Sequence, residues 1–212
     1  MQDQAPAIPD RRVDSVPRLL LFSGSLRRES HQSRLLRHFV SVLGSACDID
    51  MLTPADVDLP LFDQDLEQSE LVLAKVIGLH HRFESADGLI VASPEYNGHV
   101  SSYLKNTVDW VSRLPRIDSR YAARNAFHGR PLLLASASTG WTGGILGLQN
   151  ARSIFSYLGC TVVADQICVS DAEQCIVDDR FRFHDGFAEH IENVLKRFVT
   201  VVESLRSARA AA

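Results

Sequence analysis

With 212 residues, 45% of them hydrophobic and 23% charged, the chain has the size and balance of one globular domain able to bury its own core. Its 22 Lys+Arg against 26 Asp+Glu leave a formal net charge of -4, too little positive charge for a phosphate-backbone binder, so nucleic acid is not expected as a partner. No stretch approaches the roughly 18 consecutive apolar residues of a membrane helix, and the start MQDQAPAIPDRRVDSVP lacks the apolar core of a secretory signal; a cytoplasmic protein without a membrane partner is expected.

Residues 1–17 carry three prolines and several charges but no periodic apolar face, which predicts a flexible tail. The folded domain is expected over 18–206. It opens with an apolar run Leu19 to Phe22, then a helical pattern Ser33 to Leu43, a short strand Cys47 to Leu52 and a helix Glu70 to Glu84. The alternation continues with the strand Gly88 to Ser93, a helix Ser101 to Ser112, the strand Pro131 to Ala137, a helix Gly144 to Leu158 and the strand Thr161 to Val169. A last helix is expected from about Gly186 to Arg206, with a frayed end over 207–212.

The runs LLLF, LIVA and LLLA are apolar at every position, as suits strands of a parallel sheet covered on both faces. The predicted architecture is a three-layer, doubly wound α/β domain with a five-stranded parallel sheet. One irregular stretch, Arg113 to Arg130, carries Arg113, Arg116, Arg120, Arg124 and Arg130 and reads as a long polar connection. It is expected to be a solvated loop or, in a sharper reading, an arginine clamp for the anionic groups of a ligand or for a neighbouring subunit.

Ligands of open parallel sheets bind beyond the carboxyl ends of the strands where the winding reverses. After the first strand comes Ser23-Gly24-Ser25-Leu26-Arg27-Arg28-Glu29-Ser30, in which hydroxyls, a glycine and arginines stand before a helix N-terminus. Those are the parts of a phosphate cradle, and equally of a plain strand-to-helix turn. The segment has neither Gly-Lys-Ser/Thr nor G-x-G-x-x-G spacing, so a monophosphate fits better than a nucleoside triphosphate or a dinucleotide. After the third strand, Ser93-Pro94-Glu95-Tyr96-Asn97-Gly98 offers backbone donors and a flat aromatic surface. After the fourth, Ser136 to Gly144 contains glycines that permit close backbone approach. A ligand with a phosphate at one loop and a polar ring at the other two matches this set.

In these motifs the chain resembles the NAD(P)H-dependent FMN reductases, flavodoxin-like proteins that include bacterial chromate and quinone reductases. The likeness rests on GSLRRES, on SPEYNGHVSSYLKNTVDWVSR and on STGWTGG, in this order and spacing. It implies a flavodoxin-like sandwich with FMN as cofactor and NADPH or NADH as co-substrate. Ser25, Arg27, Ser30 and Gln32 would hold the phosphate, Arg27 supplying most of the compensating charge. Pro94, Glu95, Tyr96 and Asn97 would border the ring, and Ser138, Thr139, Gly140 and Trp141 would close its other edge. The family usually has asparagine where this chain has Gln32, one methylene longer. Ser101 stands where relatives often carry a smaller residue or proline, and can still cap the next helix.

In such a protein the flavin carries the chemistry, so no catalytic acid, base or nucleophile is assigned. The eight histidines and four cysteines (Cys47, Cys160, Cys168 and Cys175) show no metal-ligand spacing, which predicts no metal and reduced thiols. The helix bearing Trp110 and Val111 is expected, by the resemblance, to pack on a second subunit in a homodimer or homotetramer. The electron acceptor is expected to be a small molecule such as a quinone, a flavin or chromate. Two alternatives stay open: an electron-carrier module like flavodoxin, and a relative that has lost FMN.

Overall fold

A computed structural model describes residues 15–123 and 125–210. Most of the expected tail, Arg124 and the last two residues lie outside the described residues. In chain order the elements are β1 Arg18–Ser23, α1 His31–Leu43, β2 Asp48–Leu52, α2 Glu70–Ser85, β3 Gly88–Ala92, β4 Glu95–Tyr96, β5 His99–Val100, α3 Ser102–Ile117, β6 Pro131–Ala137, α4 Ile145–Tyr157, β7 Thr161–Val169, β8 Ile176–Val177, β9 Arg180–Phe181 and α5 Asp185–Ala210.

Five strands pair in parallel in the order β2-β1-β3-β6-β7, the doubly wound sheet expected from the alternation. Successive side chains of a strand point to opposite faces, and here both faces are apolar. Leu20, Phe22, Leu89, Val91, Leu132 and Leu134 pack with side chains of α2, α3 and α4. Leu19, Leu21, Ile90, Ala92, Leu133 and Ala135 pack with those of α1 and α5. Each such buried side chain contributes about 1.5–3 kcal/mol, which explains why the central strands tolerate no alternation. The winding reverses between β1 and β3, the two neighbours from which the chain runs outward in opposite directions.

Four features differ from the sequence expectations. First, two small hairpins appear, β4-β5 and β8-β9. The first turns at Asn97 and Gly98, with φ of 54° and 73°, the left-handed geometry that Asn-Gly adopts readily in a two-residue hairpin. Second, α3 runs beyond Ser112 to Ile117, with Pro115 in its last turns. A proline there removes only one helical N–H close to the end of the ladder.

Third, that extension shortens the arginine-bearing connection and places it at the amino ends of the strands, leading into Pro131 of β6. One helix of 16 residues, about 24 Å, separates it from the loops after β1, β3 and β6. The arginines serve locally: Arg113 Nε pairs with Glu67 at 2.5 Å, Arg120 Nη2 with Asp118 at 2.6 Å, and Arg130 Nη2 donates to the Glu84 carbonyl at 2.5 Å. The clamp is therefore set aside for the described part of this segment, because these side chains stand at the wrong end of the sheet.

Fourth, α5 continues through 207–210, where a frayed end was expected. Arg206 donates to the Ser15 carbonyl at 2.7 Å and Arg209 to the Asp87 carbonyl at 3.2 Å. The β1-β2 pairing also begins before Arg18, since the Pro17 carbonyl accepts from Asp48 N–H at 2.9 Å.

Candidate functional site

The loop after β1 is built around buried hydroxyls. Ser25 N–H donates to Ser23 Oγ at 3.4 Å, and Arg27 N–H to Ser25 Oγ at 3.3 Å. Ser30 caps α1, accepting from Ser33 N–H at 3.1 Å, and the two hydroxyls lie 2.9 Å apart. Ser33 Oγ donates on to Ser23 Oγ at 3.3 Å. This network holds the loop in a tight turn over the first-turn amides of α1, which have no partner within the helix. No acidic side chain stands in that first turn, so the helix end and the exposed Arg27 present positive charge.

Gly24 explains how this loop meets the next one. Its N–H donates to the Ala92 carbonyl at 2.8 Å, and a side-chain carbon there would stand 3.2 Å from Pro94 Cδ and 3.3 Å from Leu104 Cβ. Ser101 Oγ donates to the Gly24 carbonyl at 2.5 Å while accepting from Leu104 N–H at 3.0 Å. It thus caps α3, as expected, and also ties α3 to the first loop. Gln32 departs from the expectation attached to it. Its side chain is 3% exposed and its amide donates to the Ala137 carbonyl at 2.7 Å. The longer side chain spends its donor on bridging the loops after β1 and β6.

The loop after β3 begins with the buried Ser93 and Pro94 and continues into the β4-β5 hairpin. Glu95 Oε2 accepts from Gly147 N–H at 2.9 Å. Gly147 is the third residue of α4, whose own cap, Gly144, has no side chain, so Glu95 supplies the missing acceptor from another loop. Asn150 Nδ2 donates to the Gly98 carbonyl at 3.0 Å, fastening the hairpin tip to the same helix. Tyr96 is left 55% exposed. Asn97 sits at the tip in the left-handed conformation.

In the loop after β6, Ser138 Oγ accepts from Gly140 N–H at 3.1 Å, and Thr139 and Gly140 are exposed. Trp141 is 84% exposed. Gly144, with φ of 85°, lies so close to Ser136 that an added side-chain carbon would stand 2.9 Å from Ser136 Cβ. Ser136 Oγ is buried there with no hydrogen-bond partner. Cys168 packs against the same turn, and burial, with a smaller push from the Glu95 carboxylate, raises its thiol above the ordinary value. Burial likewise pushes the Cys47 thiol up to about 11 and Cys160 to about 12. All four cysteines are free thiols.

The three loops therefore touch one another through Gly24 and Pro94, Gln32 and Ala137, and Glu95 and Gly147. Their rim carries Arg27 at one end and two exposed aromatic rings, Tyr96 and Trp141, beyond it. The arrangement fits FMN on three counts: hydroxyls and a positive helix end for a phosphate, flat rings beside a heterocycle, and an unpartnered buried hydroxyl below loop three. Among the described residues no group of three His, Cys, Asp or Glu side chains is placed to hold a metal ion. None of the described helices is long and apolar enough to cross a membrane.

The sequence expectations did not include Glu95 as a cap, Gln32 as a bridge, Ser136, or the hairpin. The hairpin alone had a local signal, the Asn97-Gly98 dipeptide.

Comparison with known proteins agrees with this geometry. The chain is 30% identical over 185 residues to the quinone reductase of Escherichia coli K12, covering 86% of this chain and 94% of that protein. It is 27% identical over 173 residues to an NAD(P)H-dependent FMN reductase of Pseudomonas aeruginosa, covering 78% and 87%. The fold matches that of FerB, a flavoenzyme NAD(P)H:(acceptor) oxidoreductase from Paracoccus denitrificans, with a TM-score of 0.77 at 21% identity, covering 89% of this chain and 98% of that one. The sequence pattern of the NADPH-dependent FMN reductases matches residues 17–174, and the chain belongs to that family of FMN-dependent, flavodoxin-like oxidoreductases.

Proposed function

We propose that this protein takes hydride from NADPH or NADH and delivers the electrons to a small acceptor of the quinone type, using FMN bound across the three loops. The observation that carries this is the mutual contact of those loops, with Arg27 at one end of the rim and Tyr96 and Trp141 exposed along it. FMN bound there would supply the two-electron chemistry by which NADPH, a proton and a quinone give NADP+ and the quinol.

The work of the chain is binding and orientation. Arg27, the Ser25 and Ser30 hydroxyls and the first-turn amides of α1 hold the phosphate. Pro94, Glu95, Tyr96 and Asn97 border one side of the ring, with Glu95 acting through its hold on α4. Ser138, Thr139, Gly140 and Trp141 border the other side, and Gln32 joins that loop to the phosphate loop. The names of the Escherichia coli and Pseudomonas aeruginosa relatives support quinone and flavin as acceptor classes. Assembly into a homodimer or homotetramer and a cytoplasmic location belong to the same proposal.

The test is an absorption spectrum of the purified protein, repeated anaerobically with NADPH and then with a quinone. A flavin spectrum that bleaches with NADPH and returns with the quinone is expected. A flavin that stays oxidised would make the chain an electron carrier. No flavin after reconstitution with FMN would make it a relative that has lost the cofactor.

A further inference from the structure

A large hollow lies outside the three loops. Its volume is about 820 Å3, within the range of small-ligand sites, and its walls come from α1, β2, the β8-β9 hairpin and the start of α5. None of its lining residues belongs to the loops after β1, β3 or β6. Its apolar lining includes Val40 of α1, Ile49 and Met51 of β2, and Phe181 and Phe183 at the end of the hairpin. The rings of Phe181 and Phe183 stack with centres 5.1 Å apart and planes 11° apart, and His38 and Phe187 meet Phe183 edge-on. This aromatic wall is packed in place without a ligand, so binding against it requires little reordering.

The charges around the hollow are almost all of one sign. Arg34, Arg37, Arg180 and Arg182 line it against a single acid, Asp179, in a chain whose formal net charge is -4. Arg34, Arg37, His38 and Ser41 follow the three- and four-residue spacing of one helix face, so α1 turns this face to the hollow. Asp179 is already engaged, accepting from Arg34 Nε at 2.7 Å. That pair pins the hairpin to α1 at a turn where Asp178 and Asp179 are left-handed, with φ of 48° and 61°. Arg37 pairs with Glu29 at 2.6 Å through one of its terminal nitrogens, which leaves most of its donors unused. Arg180 and Arg182 are exposed, and their side chains have no ion-pair partner among the described residues.

We propose that this hollow is a second binding site, for an aromatic carboxylate whose ring packs among the apolar side chains and whose anionic group is met by the surrounding arginines. A surplus of guanidinium groups beside apolar walls favours an anion with an apolar body, because each guanidinium can offer two parallel N–H donors to a carboxylate. A neutral ring would forgo the ionic contact, and an inorganic anion would forgo the burial of apolar surface. The site is separate from the cofactor loops and does not depend on the FMN assignment.

The experiment is calorimetry with 2-naphthoate and its neutral analogue 2-naphthamide, on the protein with FMN added in excess. Two variants accompany the wild type. Arg37→Gln/Arg180→Gln/Arg182→Gln removes charge and keeps Arg34, which holds the hairpin. Ser41→Trp fills the hollow from an exposed position of α1 and keeps every charge. We expect saturable binding of one 2-naphthoate per chain, about tenfold weaker binding of 2-naphthamide and about tenfold weaker 2-naphthoate binding by the arginine variant. Ser41→Trp should lose both ligands, and excess FMN should change none of these affinities. Absence of 2-naphthoate binding by the wild type at millimolar concentration would overturn the proposal, as would equal affinity in all three proteins, which would put the ligand elsewhere. Dissociation of an oligomer by Ser41→Trp in sedimentation would overturn it too, by showing that a second copy fills the hollow.

Discussion

Arg27 and Gln32, in and just after the loop that follows β1, illustrate how different roles can lie close together in sequence. Arg27 is exposed, with no ion-pair partner among the described residues, so its charge is available to a ligand. Arg27→Ala should raise the FMN dissociation constant by about 10- to 100-fold, the loss of one charge-assisted contact, with little change in thermal stability; equilibrium dialysis and a melting curve check both halves. Gln32 is the opposite case. Its donor is committed to the buried Ala137 carbonyl, so Gln32→Ala leaves that carbonyl unsatisfied, at about 1–3 kcal/mol. The melting temperature should fall by roughly 2–4 °C per kcal/mol. An unchanged melting curve would mean that Ala137 finds another partner.

The β4-β5 hairpin and α4 form a unit, although Glu95 and Gly147, which join them, are 52 residues apart in the chain. The hairpin has only two residues per strand, too few for stability without support, and it gains that support from Glu95 and Asn150. In return, α4 receives an acceptor for an N-terminal amide that its own glycine cap cannot provide. Glu95→Ala should cost about 1 kcal/mol and speed hydrogen exchange at the Gly147 amide, whereas Glu95→Gln, which keeps an acceptor, should lose less. Exchange at Gly147 that is equally fast in both variants would show that charge, rather than the hydrogen bond, holds the helix end. Because the hairpin carries Tyr96 and Asn97 and α4 follows Trp141, loosening this unit should also weaken FMN binding.

The molecule as a whole separates its chemistry from its electrostatic staples. The loops after β1, β3 and β6 lie at the carboxyl ends of the strands, while ion pairs tie the edge strand β2 to its neighbours. Asp50 is the centre of one such group. Arg82 Nη2 lies 2.5 Å from its Oδ1, Arg18 Nη2 lies 2.9 Å from its Oδ2, and Arg82 Nη1 reaches Asp56 at 3.1 Å. Burial alone would raise the Asp50 carboxyl, but the hydrogen bonds from Arg82 and Arg18 outweigh it and hold the group below the usual carboxylate range. The stability this contributes is complete above the unfolded value of about 3.9 and is lost as pH falls through the lower folded value. Urea midpoints should therefore drop below about pH 4, and Asp50→Asn should be less stable at neutral pH with a shallower acid limb. An acid limb of unchanged slope would assign the loss to other carboxylates.

Hydrophobic patterning was enough to recover the layered sheet, because strands buried on both faces must be apolar at every position and such runs are visible without any neighbour. The loop motifs were legible for a similar reason: turn residues, helix caps and glycines obey local rules. Pro115 concealed the true end of α3, since a proline normally announces a break and here falls where only one helical bond is forfeited. The position of the arginine-bearing connection was implicit in the alternation, for a segment between a helix and the next parallel strand lies at the amino ends. What no local pattern contained is which side chains meet across the loops. Gln32 and Ala137 are 105 residues apart, and Glu95 and Gly147 are 52 apart. Those partnerships exist because the reversal of winding between β1 and β3 brings separate loops to one rim, and packing of the sheet, not the adjacent sequence, sets which donor finds which acceptor.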